Sequence, residues 1–124
     1  MAKILIVDDD IQTTKILELL LSEKGYQPTS VNDSSQAIQV AKTINPDLII
    51  LDLMMPEPDG FKVCRKLRED AQFIFTPILI VTALDDTDSK IVAYGAGADN
   101  YLIKPYDIDE LADTLKRMLR KDIK

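Results

Sequence analysis

The sequence predicts an α/β domain built on a parallel five-stranded sheet with helices on both faces. Strand-like and helix-like segments alternate five times along 124 residues. Three of the strand-like segments, at 3–8, 47–52 and 77–82, are nearly continuous apolar runs, the pattern of strands buried on both faces. The length suits one domain, taken as residues 1–124, and the 46% apolar content is enough for a core.

Each element follows from its own residues. Lys3 to Asp8 reads as a buried strand. Ile11 to Lys24 reads as a helix with Leu17, Leu20 and Leu21 on one side and Gly25 as its stop. Tyr26 to Val31 is a more polar strand; Pro28 cannot donate to a ladder and assigns it to an edge. Ser34 or Ser35 is expected to cap a helix carrying Ala37, Ile38, Ala41 and Ile44, which Asn45-Pro46 ends. Asp47 to Asp52 is the second buried strand, and Asp59-Gly60 opens a helix with Val63, Cys64 and Leu67 inward. Pro77 to Thr82 is the third buried strand, followed by a short helix around Thr87 to Tyr94 that ends near Gly95 and Gly97. Asp99 to Ile103 is the fifth strand. Ile108, Leu111, Leu115 and Met118 then mark an amphipathic last helix.

Right-handed crossovers, three central strands and Pro28 at an edge are met by the strand order 2-1-3-4-5, a flavodoxin-like order. Ligands of such sheets bind at the carboxyl ends of the strands. Asp8, Asp9, Asp52 and Thr82 stand at those ends, and Lys104 follows the fifth strand.

Composition narrows the chemistry. A net charge of −6 disfavours nucleic-acid and anionic-membrane binding by this chain. No stretch is long and apolar enough to span a bilayer, and no signal peptide is visible. The lone Cys64 excludes an internal disulfide and is expected as a packed thiol; the expected compartment is the cytoplasm. The absence of histidine excludes His-ligated zinc, a Ser-His-Asp triad and phosphohistidine on this chain, so any histidine phosphodonor must be another protein.

Neighbouring strands lie about 4.8 Å apart, which puts the acids of the first and third strands within reach of one cation. Clustered carboxylates repel unless a cation intervenes. Oxygen donors without thiol or imidazole suit Mg²⁺. Asp9 and Asp52 are expected as direct ligands, Asp8 through water, and the backbone carbonyl of Met54 as a further one. Asp10 reads as a helix N-cap. With the cation in place, Asp52, alone at its strand end, is the candidate nucleophile for an aspartyl phosphate. Lys104 supplies a point charge and Thr82 a hydroxyl to the spread negative charge of the transferred group.

Ile-Leu-Ile-Val-Asp-Asp-Asp at 4–10, Asp-Leu-Met-Met-Pro-Glu-Pro-Asp-Gly at 52–60, Val-Thr-Ala at 81–83 and Gly-Ala-Asp-Asn-Tyr-Leu-Ile-Lys-Pro at 97–105 resemble, in order and spacing, the receiver domains of bacterial two-component response regulators. The resemblance runs the whole length. It implies that Asp52 accepts a phosphoryl group from a phosphohistidine on a partner sensor histidine kinase or histidine phosphotransfer protein. It implies Asp8 and Asp9 as the acidic pair, Thr82 as the switch hydroxyl and Lys104 as the cation. Tyr101 becomes the switch aromatic, and the Lys104–Pro105 bond is expected to be cis, which X–Pro bonds bear at low cost. Such a domain is a signalling switch rather than a turnover enzyme. The face of the fourth helix, fifth strand and fifth helix would be remodelled for an unidentified downstream partner or a homodimer. No output domain follows the last helix, which leaves open a stand-alone regulator or a piece of a longer one.

Two positions depart from fast-switching members. Met54 and Leu84, each two residues beyond a site residue, are apolar where polar side chains orient the attacking water. Slow self-dephosphorylation is expected. Pro58 replaces a commoner methionine and is expected to stiffen its loop. Among rivals, a haloacid-dehalogenase-like phosphatase would use Asp8 and Asp10, but Gln12 stands where Thr or Val is required. A phosphorylation-independent docking module is disfavoured by the intact Asp9, Asp52, Thr82 and Lys104. A flavodoxin-type electron carrier is disfavoured because no phosphate-cradling loop follows the first strand.

Overall fold

A computed structural model describes residues 1–120. The elements are β1 (Lys3–Val7), α1 (Ile11–Glu23), β2 (Gln27–Val31), α2 (Ala37–Ile44), β3 (Leu48–Leu51), α3 (Gly60–Glu69), β4 (Ile78–Thr82), α4 (Thr87–Gly95), β5 (Asn100–Ile103) and α5 (Ile108–Leu119), with short 3-10 turns at Ser34–Gln36 and Ala71–Phe73. The last four residues of the expected 1–124 domain lie outside the described residues.

The strands are parallel in the order β2-β1-β3-β4-β5. Alternation along each strand divides the core in two. Ile4, Ile6, Leu48, Ile50, Leu79, Val81 and Leu102 pack with Leu17 and Leu21 of α1 and Leu111, Leu115 and Met118 of α5. Leu5, Val7, Ile49, Leu51, Ile78 and Ile80 pack on the other face with Ala37, Ala41, Val63, Cys64, Leu67 and Ala93, from α2, α3 and α4. The central runs are therefore apolar at every position because each face of the sheet has its own helical cover. Cys64 is the packed thiol expected: it is buried against the Ala96 carbonyl, and burial pushes its pKa up to about 11.

Caps set where the chain leaves the sheet edge. The carboxylates of Asp10, Asp59, Asp86 and Asp107 accept backbone N–H groups at the starts of α1, α3, α4 and α5. The expected serine cap before α2 is corrected. Asp33 caps the Ser34–Gln36 turn that leads into α2, accepting the Ser35 N–H at 3.0 Å and its hydroxyl at 2.7 Å, and α2 itself starts from Gln36 with no side-chain cap. A carboxylate is the stronger acceptor. Ser34 is instead buried, and its hydroxyl donates to the Pro56 carbonyl at 3.1 Å, tying the loop after β2 to the loop after β3. The Ala71–Phe73 turn has no counterpart among the sequence expectations. Phe73, which it carries, is fully buried.

Candidate functional site

The site lies where the strands run out. Asp8, Asp52 and Lys104 are each the first residue past a strand, and each is held there by a last ladder bond. Asp8 N–H donates to the Val31 carbonyl at 3.1 Å, Asp52 N–H to Val7 at 3.0 Å, and Lys104 N–H to Thr82 at 2.8 Å. Backbone pairing thus fixes the three Cα positions, and the pleat directs their side chains to one point.

There the Lys104 ammonium donates to Asp8 Oδ2 at 2.7 Å and to Asp52 Oδ2 at 3.1 Å. The remaining carboxylate oxygens are held by the backbone. Asp8 Oδ1 accepts the Asp10 N–H at 3.0 Å, and Asp52 Oδ1 accepts the Met54 N–H at 3.1 Å. Both carboxylates are buried, at 5% and 7% exposure. Burial pushes the Asp8 carboxyl above its ordinary range, although the Lys104 ammonium and the Asp10 amide pull the other way. Burial also works against the charge on Lys104, but the bond to Asp8 and the fields of both carboxylates outweigh it and raise its pKa. Lys104 therefore stays protonated at neutral pH. Thr82 is fully buried at the end of β4, and its hydroxyl has no hydrogen-bond partner. A buried hydroxyl without a partner is costly.

The geometry brings Asp8, Asp52 and Lys104 into contact and leaves Asp9 exposed beside them. Among the described residues no three acidic, thiol or imidazole side chains converge as a ligand cluster. The donor set still fits Mg²⁺, which is commonly held by one or two carboxylates and keeps several waters. Two buried carboxylates already accept one cationic group between them, and every donor at this point is a hard oxygen. Asp8, Asp9, Asp52 and the Met54 carbonyl are the groups that would hold it.

Tyr101 lies on the α4 side of edge strand β5. Its hydroxyl donates to the Leu84 carbonyl at 2.6 Å, its ring lies 6.4 Å from that of Tyr94, and Lys90 Nζ is 5.9 Å from its centroid. Burial, with Asp86 and Asp52 adding, raises its pKa. The Lys104–Pro105 bond is cis, and so is Glu57–Pro58, which the sequence did not announce.

One supporting residue escaped the sequence reading. Gly60 opens α3 against the Asp52–Leu53 backbone. Its N–H donates to the Leu53 carbonyl at 3.1 Å, and an added Cβ would collide with the Asp52 carbonyl and Leu53 Cα. Asp59-Gly60 was legible as a helix start; the close approach was not, because it depends on how α3 sits under the site.

Comparison with known proteins agrees with this arrangement. The family model described as the response regulator receiver domain matches residues 4–116. The DNA-binding dual master transcriptional regulator RpaA of Synechocystis is 39% identical over 121 residues, covering 98% of this chain and 50% of that protein. The response regulator ArlR of Staphylococcus aureus is 40% identical over 121 residues, covering 98% and 54%. The chain thus spans about half the length of the curated relatives it matches. Among solved structures, a two-component response regulator from Clostridium difficile superposes with a TM-score of 0.93 at 31% identity, over all of both chains. A putative response regulator from Chloroflexus aurantiacus gives 0.91 at 35% identity, over 97% of this chain and 98% of that one. No helix among the described residues is long and apolar enough to cross a membrane. Buried acids at two strand ends, a lysine between them and a hydroxyl beside them are thus set in the flavodoxin-like fold of those structures, and the chain belongs to the response regulator receiver domain family, whose members are signalling domains rather than turnover enzymes.

Proposed function

We propose that Asp52 is the phosphoacceptor of a signalling switch, charged by a phosphohistidine on a partner sensor histidine kinase or histidine phosphotransfer protein. The observation that carries this is the Lys104 ammonium bridging two buried carboxylates, each of which has a backbone amide on its other oxygen. An Asp52 carboxylate oxygen attacks the phosphorus, an O–P bond forms, the N–P bond of the donor breaks, and the electron pair returns to the imidazole. Lys104 follows the charge from the carboxylate to the phosphoryl oxygens. The Met54 N–H holds Asp52 in place. The Thr82 hydroxyl, unpartnered beforehand, gains an acceptor in the new phosphoryl group. Asp8, Asp9, Asp52 and the Met54 carbonyl would hold Mg²⁺, which when bound would neutralise charge on the transferring oxygens.

Movement of Thr82 toward that group then acts on Tyr101, whose hydroxyl is bonded to Leu84, two residues beyond Thr82. The α4-β5-α5 face changes with it, a two-state element biased by a local charge. Ile91 and Tyr94 on α4, at 64% and 47% exposure, support this face as the docking surface for a downstream protein or for a second copy of the chain.

The test is labelling by a small phosphodonor with Mg²⁺. Wild type should be labelled and Asp52→Asn should not, because an amide is no nucleophile. Labelling of Asp52→Asn at the wild-type rate overturns the assignment. The label should also persist for many minutes without a phosphatase, since Met54 and Leu84 offer water no polar guide; loss within seconds counts against their role.

A further inference from the structure

Asn32 lies just past edge strand β2, outside the set of strand-end residues that defines the site. Its side-chain amide uses both N–H groups. One donates to the Asp8 carbonyl at 2.9 Å and the other to Thr14 Oγ1 at 3.0 Å. Thr14, at 2% exposure in the first turns of α1, spends its own proton on the Ile11 carbonyl at 2.9 Å. The Thr14 oxygen is therefore available to Asn32 only as an acceptor, which fixes the direction of the whole relay.

The Asp8 carbonyl belongs to the peptide joining Asp8 to Asp9. A peptide unit is planar, so holding that oxygen also orients the Asp9 N–H and the point where the Asp9 side chain leaves the backbone. The same loop is held by the Asp8 carboxylate on the Asp10 N–H and by the Asp10 cap on the Gln12 N–H. Asn32 adds, from outside the loop, the restraint on the Asp8 carbonyl itself.

We infer that Asn32, seated by Thr14, is a positioning residue for the divalent cation: it sets the Asp8–Asp9 peptide so that the acidic pair is presented in ligating geometry. This rests on the Mg²⁺ reading above. Mg²⁺ tolerates little departure from its preferred geometry, and loss of an outer partner of a metal ligand commonly costs tenfold or more in affinity.

Calorimetric titration of the whole chain with Mg²⁺ tests this, paired with thermal unfolding in the absence of metal. Asn32→Ala and Thr14→Val should each weaken Mg²⁺ binding by about tenfold. The double variant should be no weaker than the worse single, because both break one relay. Thr14→Ser, which keeps the hydroxyl, should bind like wild type. A merely structural role would lower the unfolding temperature and leave the affinity of the folded protein alone. That result, with wild type binding normally, overturns the inference while leaving the metal site standing. Failure of wild type itself to bind Mg²⁺ overturns the metal reading and this inference with it. If Asn32→Ala does not fold, Thr14→Val against Thr14→Ser decides the matter by the same criterion.

Discussion

Two clusters of fixed charge sit at opposite edges of the sheet. At the carboxyl edge one ammonium, Lys104, serves two buried carboxylates, and a fully buried hydroxyl nearby has no partner. At the amino edge, Arg68 of α3 donates from Nε to the Gly97 carbonyl at 2.9 Å and from Nη1 to Phe73 and Thr76 at 2.6 and 2.7 Å. Its Nη2 donates to Asp99 Oδ2 at 2.8 Å, which also accepts the Ile78 N–H. One guanidinium therefore ties α3, the turn after it, and the entries to β4 and β5. Gly97, at φ +113°, lies against the Arg68 stem, where a side chain would have no room. The amino-edge charges balance and their donors are spent on the protein. The carboxyl-edge charges do not balance, and a donor is left over. Matched groups stabilise a fold; unmatched ones are a standing cost, kept where a ligand will complete them.

The contrast can be broken most forcefully at Arg68. Arg68→Ala takes the guanidinium away from the Asp99 carboxylate and from the Gly97, Phe73 and Thr76 carbonyls, and should lower unfolding free energy by about 3 kcal/mol. Denaturant unfolding measures it, and folded protein should still be labelled on Asp52. A variant as stable as wild type would mean the amino-edge cluster is not a clamp. Gly60→Ala comes next. Its Cβ must displace the Asp52–Leu53 backbone, costing about 2 kcal/mol as an overpacked contact, and unlike Arg68→Ala it should also slow labelling of the folded protein. Unchanged labelling kinetics would show that the loop absorbs the shift without moving Asp52.

The smallest expected effect has the opposite sign. The Asp8 pKa is raised from 3.8 in the folded protein. A raised carboxyl pKa means the fold favours the protonated form. The associated stability is full below the unfolded value and is lost as pH rises through the folded one. At pH 7 the ionised Asp8 is therefore a net cost, despite its bond to Lys104. Asp8→Asn, which resembles the protonated group, should raise the unfolding temperature by a few degrees without Mg²⁺, while weakening Mg²⁺ binding. A lower unfolding temperature would show that the Asp8–Lys104 pair stabilises the fold outright and that the two edges are alike.

Much of this was open to reading from the chain. Continuous apolar runs identified the central strands because both sheet faces are covered, and Pro28 assigned an edge because it lacks a ladder donor. Strand ends were legible as site positions because a parallel sheet gathers its carboxyl ends along one edge. The serine cap failed on a local competition: Asp33, one residue earlier, offers a stronger acceptor, and Ser34 is drawn away by the Pro56 carbonyl. Arg68 has no signature in the sequence, since nothing local says that a guanidinium will find carbonyls 5, 8 and 29 residues along.

The sequence by itself determined the elements, their order and the chemical character of the carboxyl edge, because periodicity and residue type are local properties. Only the tertiary structure decided which donor meets which acceptor: that Lys104 bridges Asp8 and Asp52, that Gly60 must lack a side chain, and that Asn32 reaches the Asp8 carbonyl. Hydrogen bonds act over about 3 Å, and that proximity between distant residues exists only once the strands are paired and the helices packed.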